Sequence, residues 1–184
     1  MTRSRRLAAL LLPLALLTAS CDRQDKSAGQ AASPVKGVSR AAAGRPLPDI
    51  ELRNADDEPA TLAGEQGEPL LVNLWATWCA PCVKELPTLE ALGRREGAPR
   101  VIAVSQDMAP RGSVEAFLEQ NRLAELEVWH DPDMAVSSTV GAEVLPTTIH
   151  YDAAGREVWR YVGDLDWTSA EAARLLAEAP SGRS

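Results

Sequence analysis

The sequence predicts an α/β fold with a central mixed sheet flanked by helices. Three observations predict it. Aliphatic runs such as 69–75 and 100–104 suit strands buried on both faces. Segments with apolar residues at helical spacing separate those runs. Two adjacent strand-like runs, 147–151 and 157–162, then precede a last helix. Alternation of this kind gives a sheet with helices on both faces, mostly parallel with an antiparallel edge.

The globular domain is read as residues 47–180, beginning near Leu47. Ile50-Glu51-Leu52 alternates, Asp56-Asp57-Glu58 reads as a turn and Ala60-Thr61-Leu62 returns, which predicts an N-terminal β-hairpin extension. Pro69 to Trp75 is the first buried strand. A helix is expected from about Cys82 to Arg95, with Val83, Leu86, Leu89 and Leu92 on one face. Arg100 to Val104 is a strand. Ser113 to Asn121 is a helix with Ser113 as its N-cap, and Ala116 leaves the capping box incomplete. Leu126 to His130 is a strand and Asp133 to Val140 a short helix. Thr147–Tyr151 and Glu157–Val162 form a hairpin about the turn Asp152-Ala153-Ala154-Gly155. Thr168 or Ser169 caps a last helix through Ala177.

The ends of the chain have a different logic. Residues 1–20 carry Arg3, Arg5 and Arg6 and then an uncharged stretch from Leu7 to Ser20. That stretch is too short for a mature transmembrane helix but suits a signal-peptide core. It ends in Leu17-Thr18-Ala19-Ser20-Cys21, which resembles a bacterial lipobox with Thr18 where Leu is usual. Lipidation of Cys21 would leave two of the three cysteines as a pair. The other reading is ordinary signal cleavage nearby. Residues 21–46 are rich in Ala, Ser, Gly and charge, and read as a lipidated Cys followed by a flexible tether. Removing residues 1–20 deepens the net charge from −7 to −10, since they hold three cations and no acid. Such a surface argues against nucleic acid as a partner, because phosphate binding needs clustered Lys and Arg.

The chemistry is carried by Cys79-Ala80-Pro81-Cys82, set between a buried strand and a predicted helix. Two-residue spacing lets the sulfurs meet within one helical turn. Cys79 falls at the helix start, where free N–H groups and the helix dipole stabilise a thiolate. The thiolate is the nucleophile of disulfide exchange. Cys82 lies one turn inside and would resolve the mixed disulfide. Pro81 favours the helix entry. A zinc half-site would need two further ligands, whereas His130 and His150 stand singly and no second CxxC exists. A purely structural disulfide across so short a loop would gain little.

Residues 72–82, Val-Asn-Leu-Trp-Ala-Thr-Trp-Cys-Ala-Pro-Cys, resemble the active-site segment of TlpA/ResA-like thioredoxin-family oxidoreductases, and the resemblance runs from about Leu47 to Ala179. It implies a thioredoxin fold and thiol–disulfide oxidoreductase activity, with the Cys79–Cys82 disulfide as the redox group and no separate cofactor or metal. Val144-Leu145-Pro146-Thr147-Thr148 resembles the family's cis-proline loop. The resemblance implies that Pro146 is cis and that the backbone of Leu145 pairs with an extended substrate. An ordinary trans Pro at a strand start is the other reading. Asn73 occupies the position where thioredoxins proper carry a buried Asp, so that proton route is absent. Glu85 matches a Glu that influences the cysteines in ResA-like proteins; otherwise it is a solvated helix residue. Trp78 is expected to line the substrate groove, and Ala80-Pro81 to tune the potential. Trp129, Trp159 and Trp167 read as packing. His150 stands where the family usually has an apolar residue, with no functional account.

The resemblance implies a reductase acting on exported proteins with oxidised cysteines, such as the CxxCH thiols of apocytochrome c or the copper-site cysteines of cytochrome oxidase. It implies recharging by a membrane thiol donor of DsbD or CcdA type, on the periplasmic side of the inner membrane. Two alternatives stand beside it. A copper-binding assembly factor usually has three residues between its cysteines and a His in the loop. A disulfide-forming oxidase often carries a His between them. Ala80-Pro81 matches neither pattern.

Overall fold

A computed structural model of the chain describes residues 35–178. The signal peptide, Cys21, residues 22–34 and the last six residues lie outside that span. The elements run β1 (Gly37–Ser39), β2 (Glu51–Arg53), β3 (Pro59–Thr61), a 3-10 turn (Leu62–Glu65), β4 (Leu70–Trp75), α1 (Ala80–Gly93), β5 (Arg100–Ser105), α2 (Arg111–Gln120), β6 (Val128–His130), α3 (Ala135–Val140), β7 (Thr147–Tyr151), β8 (Glu157–Val162) and α4 (Ala170–Leu176). Eight strands form one mixed sheet in the order β1-β8-β7-β4-β5-β6-β2-β3.

β4 explains the two-sided core. Successive side chains of a strand point to opposite faces. Leu71 and Trp75 enter one apolar cluster with Leu86, Leu89 and Leu92 of α1 and Leu175 of α4. Leu70, Val72 and Leu74 enter the other with Leu62, Trp129, Val136 and Ile149. Every residue of β4 is buried, as its continuous apolar run requires. Asn73 is the polar exception, and it faces Thr148 across the β4–β7 ladder.

Four expectations are corrected. The sheet is not mostly parallel: only β4–β5 and β5–β6 are, and five pairings are antiparallel. The loop after α3 returns the chain as an antiparallel hairpin, β7–β8, which joins the sheet beside β4. The folded chain also starts before Leu47. Gly37–Ser39 pairs with residues 160–162 of β8, so the tether cannot extend to 46. This strand is held by backbone bonds more than by apolar burial, and its composition hides it. The second helix begins at Arg111 with Pro110 as N-cap, so Ser113 lies inside it and caps nothing. The third begins at Ala135, and the carboxylate of Asp131 accepts from the N–H groups of Ala135 and Val136.

Candidate active site

The turn leaving β4 delivers Cys79 as the N-cap of α1, with Pro81 in the first helical turn. Cys79 and Cys82 form a disulfide with Cα atoms 5.2 Å apart. Cys79 Sγ accepts from the N–H of Cys82 at 3.3 Å. That N–H and the helix dipole would favour a thiolate at Cys79 once the bond is reduced. Cys82 is fully buried, while Cys79 keeps 7% exposure and borders a groove of about 550 Å³. Only the first sulfur can be reached from outside.

The groove runs between the Trp78–Pro81 turn and the loop Ala142–Leu145. Trp78, Met134 and Val144 line it and are among the few large apolar side chains left exposed. The Leu145–Pro146 bond is cis. Among the described residues, neither the N–H nor the C=O of Leu145 bonds another backbone group. At the groove's floor Gln106 donates from Nε2 to Asp131, leaving Oε1 buried without a described partner. Nothing local in the sequence marks Gln106 as part of the site.

Glu85 is 2% exposed, which the solvated reading does not fit. Its Oε1 accepts from Asn73 Nδ2 at 2.7 Å, and its Oε2 accepts from the N–H of Leu165 at 3.0 Å and from Trp167 Nε1 at 3.4 Å. Burial pushes its pKa up to about 7, against the pull of those three bonds. Thr88 Oγ1 donates to Glu85 O and accepts from the N–H of Trp167, tying the loop before α4 to α1. No local pattern in the sequence marks Asn73, Leu165 and Trp167 as partners of Glu85, or Thr148 as a partner of Asn73. Trp167 packs as expected, 6.4 Å from Trp159, and also turns its N–H to this carboxyl.

The histidines lie elsewhere. His130 Nε2 contacts the carbonyl of Asp107. His150 packs 5.0 Å from Trp159 and faces Leu71, towards the end of β4 away from the cysteines. Burial lowers its pKa. Among the described residues, no three His, Cys, Asp or Glu side chains are grouped to hold a metal.

Known proteins resemble the chain throughout this region. Residues 42–176 match the family model described as Redoxin. The thiol:disulfide interchange protein DsbE of Pseudomonas fluorescens biotype C is 31% identical over 138 residues, 73% of this chain and 76% of the relative. The thiol-disulfide oxidoreductase ResA of Bacillus thuringiensis is 28% identical over 123 residues, 66% of this chain and 70% of the relative. The exposed lipoprotein thioredoxin of Streptococcus pneumoniae superposes with a TM-score of 0.61 at 22% identity, over 72% of this chain and 100% of that one. At that identity the superposition shows a shared fold.

Proposed function

The chain belongs to the Redoxin family, as a thiol–disulfide oxidoreductase of the DsbE and ResA type, and we propose that it works reductively on exported proteins while tethered to the membrane. The observation that carries the proposal is the asymmetry of the pair: Cys79 caps α1 at the groove, and Cys82 is sealed behind it.

In the reduced protein the Cys79 thiolate attacks a substrate disulfide. A mixed disulfide forms and one substrate thiolate leaves. Cys82 then attacks Cys79 Sγ, releasing the second substrate sulfur and closing the Cys79–Cys82 bond. Two electrons and two protons pass to the substrate, and a membrane dithiol of DsbD or CcdA type restores the pair. Trp78 and the Leu145–Pro146 loop hold the substrate as an extended segment. Glu85, titrating near neutrality one turn beyond Cys82, takes up or supplies a proton as the buried thiol changes state.

The reductive direction is supported by Ala80-Pro81, which adds no cation to the thiolate beyond the helix N-terminus. The reduced form is then not over-stabilised as in strong oxidants. Cysteines of apocytochrome c or of a cytochrome oxidase copper site are the substrates proposed. Lipid at Cys21, with residues 22–36 as linker, keeps the domain near its electron donor. Equilibration of the Cys79/Cys82 couple with glutathione tests the direction. A potential nearer the roughly −270 mV of thioredoxin than the about −120 mV of DsbA is expected. A value more positive than about −180 mV, that of protein disulfide isomerase, would overturn it.

A further inference from the structure

The groove beside Cys79 is apolar along most of its length, through Trp78, Ala80, Pro81, Met134, Val144 and Leu145. It contains one charged side chain, Glu143, which is exposed. Among the described residues Glu143 enters no salt bridge and accepts no hydrogen bond. Two buried acids at this end of the sheet are taken up by hydrogen bonds, while Asp133, exposed beside Met134, does not line the groove. Asp107 accepts from Thr77 and Ser105, and Asp131 from Gln106, Ala135 and Val136.

Glu143 lies two residues before Leu145, on the loop facing the Trp78–Pro81 turn across the groove. Glu143 shares this groove with Cys79 and Leu145, so a segment lying along it beside Leu145 runs past a carboxylate. From the position and charge of that side chain we infer that Glu143 is a specificity-determining residue, selecting substrates with Lys or Arg flanking the reacting cysteine. Because Glu143 is exposed, its discrimination is that of a surface charge, modest and sensitive to salt. The net charge, −7 over the full sequence and −10 without residues 1–20, acts in the same direction at longer range, drawing basic segments to the surface. This inference rests on the reductive reading of the pair and specifies its substrates.

The test uses three disulfide-linked peptides identical except for Lys, Ala or Glu on both sides of the reacting cysteine. Each is reduced by the wild-type protein, by Glu143→Gln and by Glu143→Lys. The wild type should prefer Lys to Ala and Ala to Glu, by about threefold to fivefold per step in kcat/KM at low salt. The order should flatten at about 1 M salt, where the screening length falls to ~3 Å. Glu143→Gln should weaken the order, and Glu143→Lys should invert it. Inversion is internally controlled, because a misfolded variant would lose all three peptides together. The same order in Glu143→Lys as in the wild type, or no order in the wild type, overturns the assignment and leaves the reductase reading standing. A wild-type protein that reduces none of the three removes both.

Discussion

Asn73 Nδ2 donates to Glu85 Oε1 at 2.7 Å, joining the one polar side chain of β4 to the one carboxyl sealed within the first turns of α1. The same Nδ2 donates to Thr148 Oγ1 at 2.9 Å on the neighbouring strand. The buried carboxyl of this region comes from the helix, and Asn73 ties it to the strand and to Thr148.

Glu85→Gln should change how stability depends on pH. Its folded pKa lies near 7 and its ordinary value near 4.5, so the folded state holds the proton over that window while the unfolded chain releases it. The group's contribution is therefore fully present below about pH 4.5 and is lost as pH rises towards 7. The wild-type oxidised protein should lose on the order of 3 kcal/mol across that window from this group, at about 1.4 kcal/mol per pKa unit. Glu85→Gln should flatten that slope, as measured by urea unfolding at several pH values. In the reduced protein, iodoacetamide alkylation of the variant should match wild type below pH 7 and exceed it above, where the wild-type carboxylate opposes the thiolate. Superimposable profiles in both experiments would make Glu85 a bystander.

The exposures of Cys79 and Cys82, 7% and 0%, predict which variant traps partners. Cys82→Ser retains the reachable nucleophile and loses the resolving thiol, so mixed disulfides with exported proteins should accumulate. Cys79→Ser should accumulate few. Non-reducing gels after acid quenching read this directly, and equal trapping would undo the division of roles.

Cys21 lies outside the described residues, so its role is open to a direct chemical test. Cys21→Ala should release the domain from membranes with its redox activity intact. Mass spectrometry of the mature wild-type N-terminus should find a diacylated Cys21. An unmodified terminus elsewhere would restore ordinary signal cleavage.

What the sequence made legible is what local pattern encodes. β4, the CxxC at the head of α1 and the β7–β8 hairpin were read within a residue or two, because each is a continuous apolar run or a fixed motif. Residues assembled over long separations were not. Leu165 and Trp167 reach Glu85 from 80 and 82 residues away, and no spacing announces that meeting. β1 was hidden for the same reason: Gly37, Val38 and Ser39 gain their place from β8. Strand direction is not legible in the sequence, because alternation of strand and helix is compatible with either sense once a loop turns the chain back.

Arg160 connects the far strand to the groove and carries the last prediction. Its Nε and Nη2 each donate to the Glu157 carboxylate at 2.7 Å, and its Nη1 donates to the carbonyl of Val140 at 2.8 Å. Both residues are buried, at 9% and 3% exposure, and Val140 is the last residue of α3 before the loop that ends in Pro146. Arg160→Met would remove one charge and leave Glu157 unpaired in the interior. Breaking a buried pair from one side typically costs about 3–5 kcal/mol, whereas replacing both partners with apolar residues of similar volume is often close to neutral. Arg160→Met alone should therefore lower the urea midpoint strongly, and Arg160→Met with Glu157→Leu should recover most of the loss. The double variant still lacks the bond to Val140 O, so α3 loses a fixed end. Its reduction of disulfide peptides should remain slower than wild type, through a raised KM, even where its stability is restored. A double variant no more stable than Arg160→Met would show that the unpaired Glu157 charge is not what the single variant suffers from.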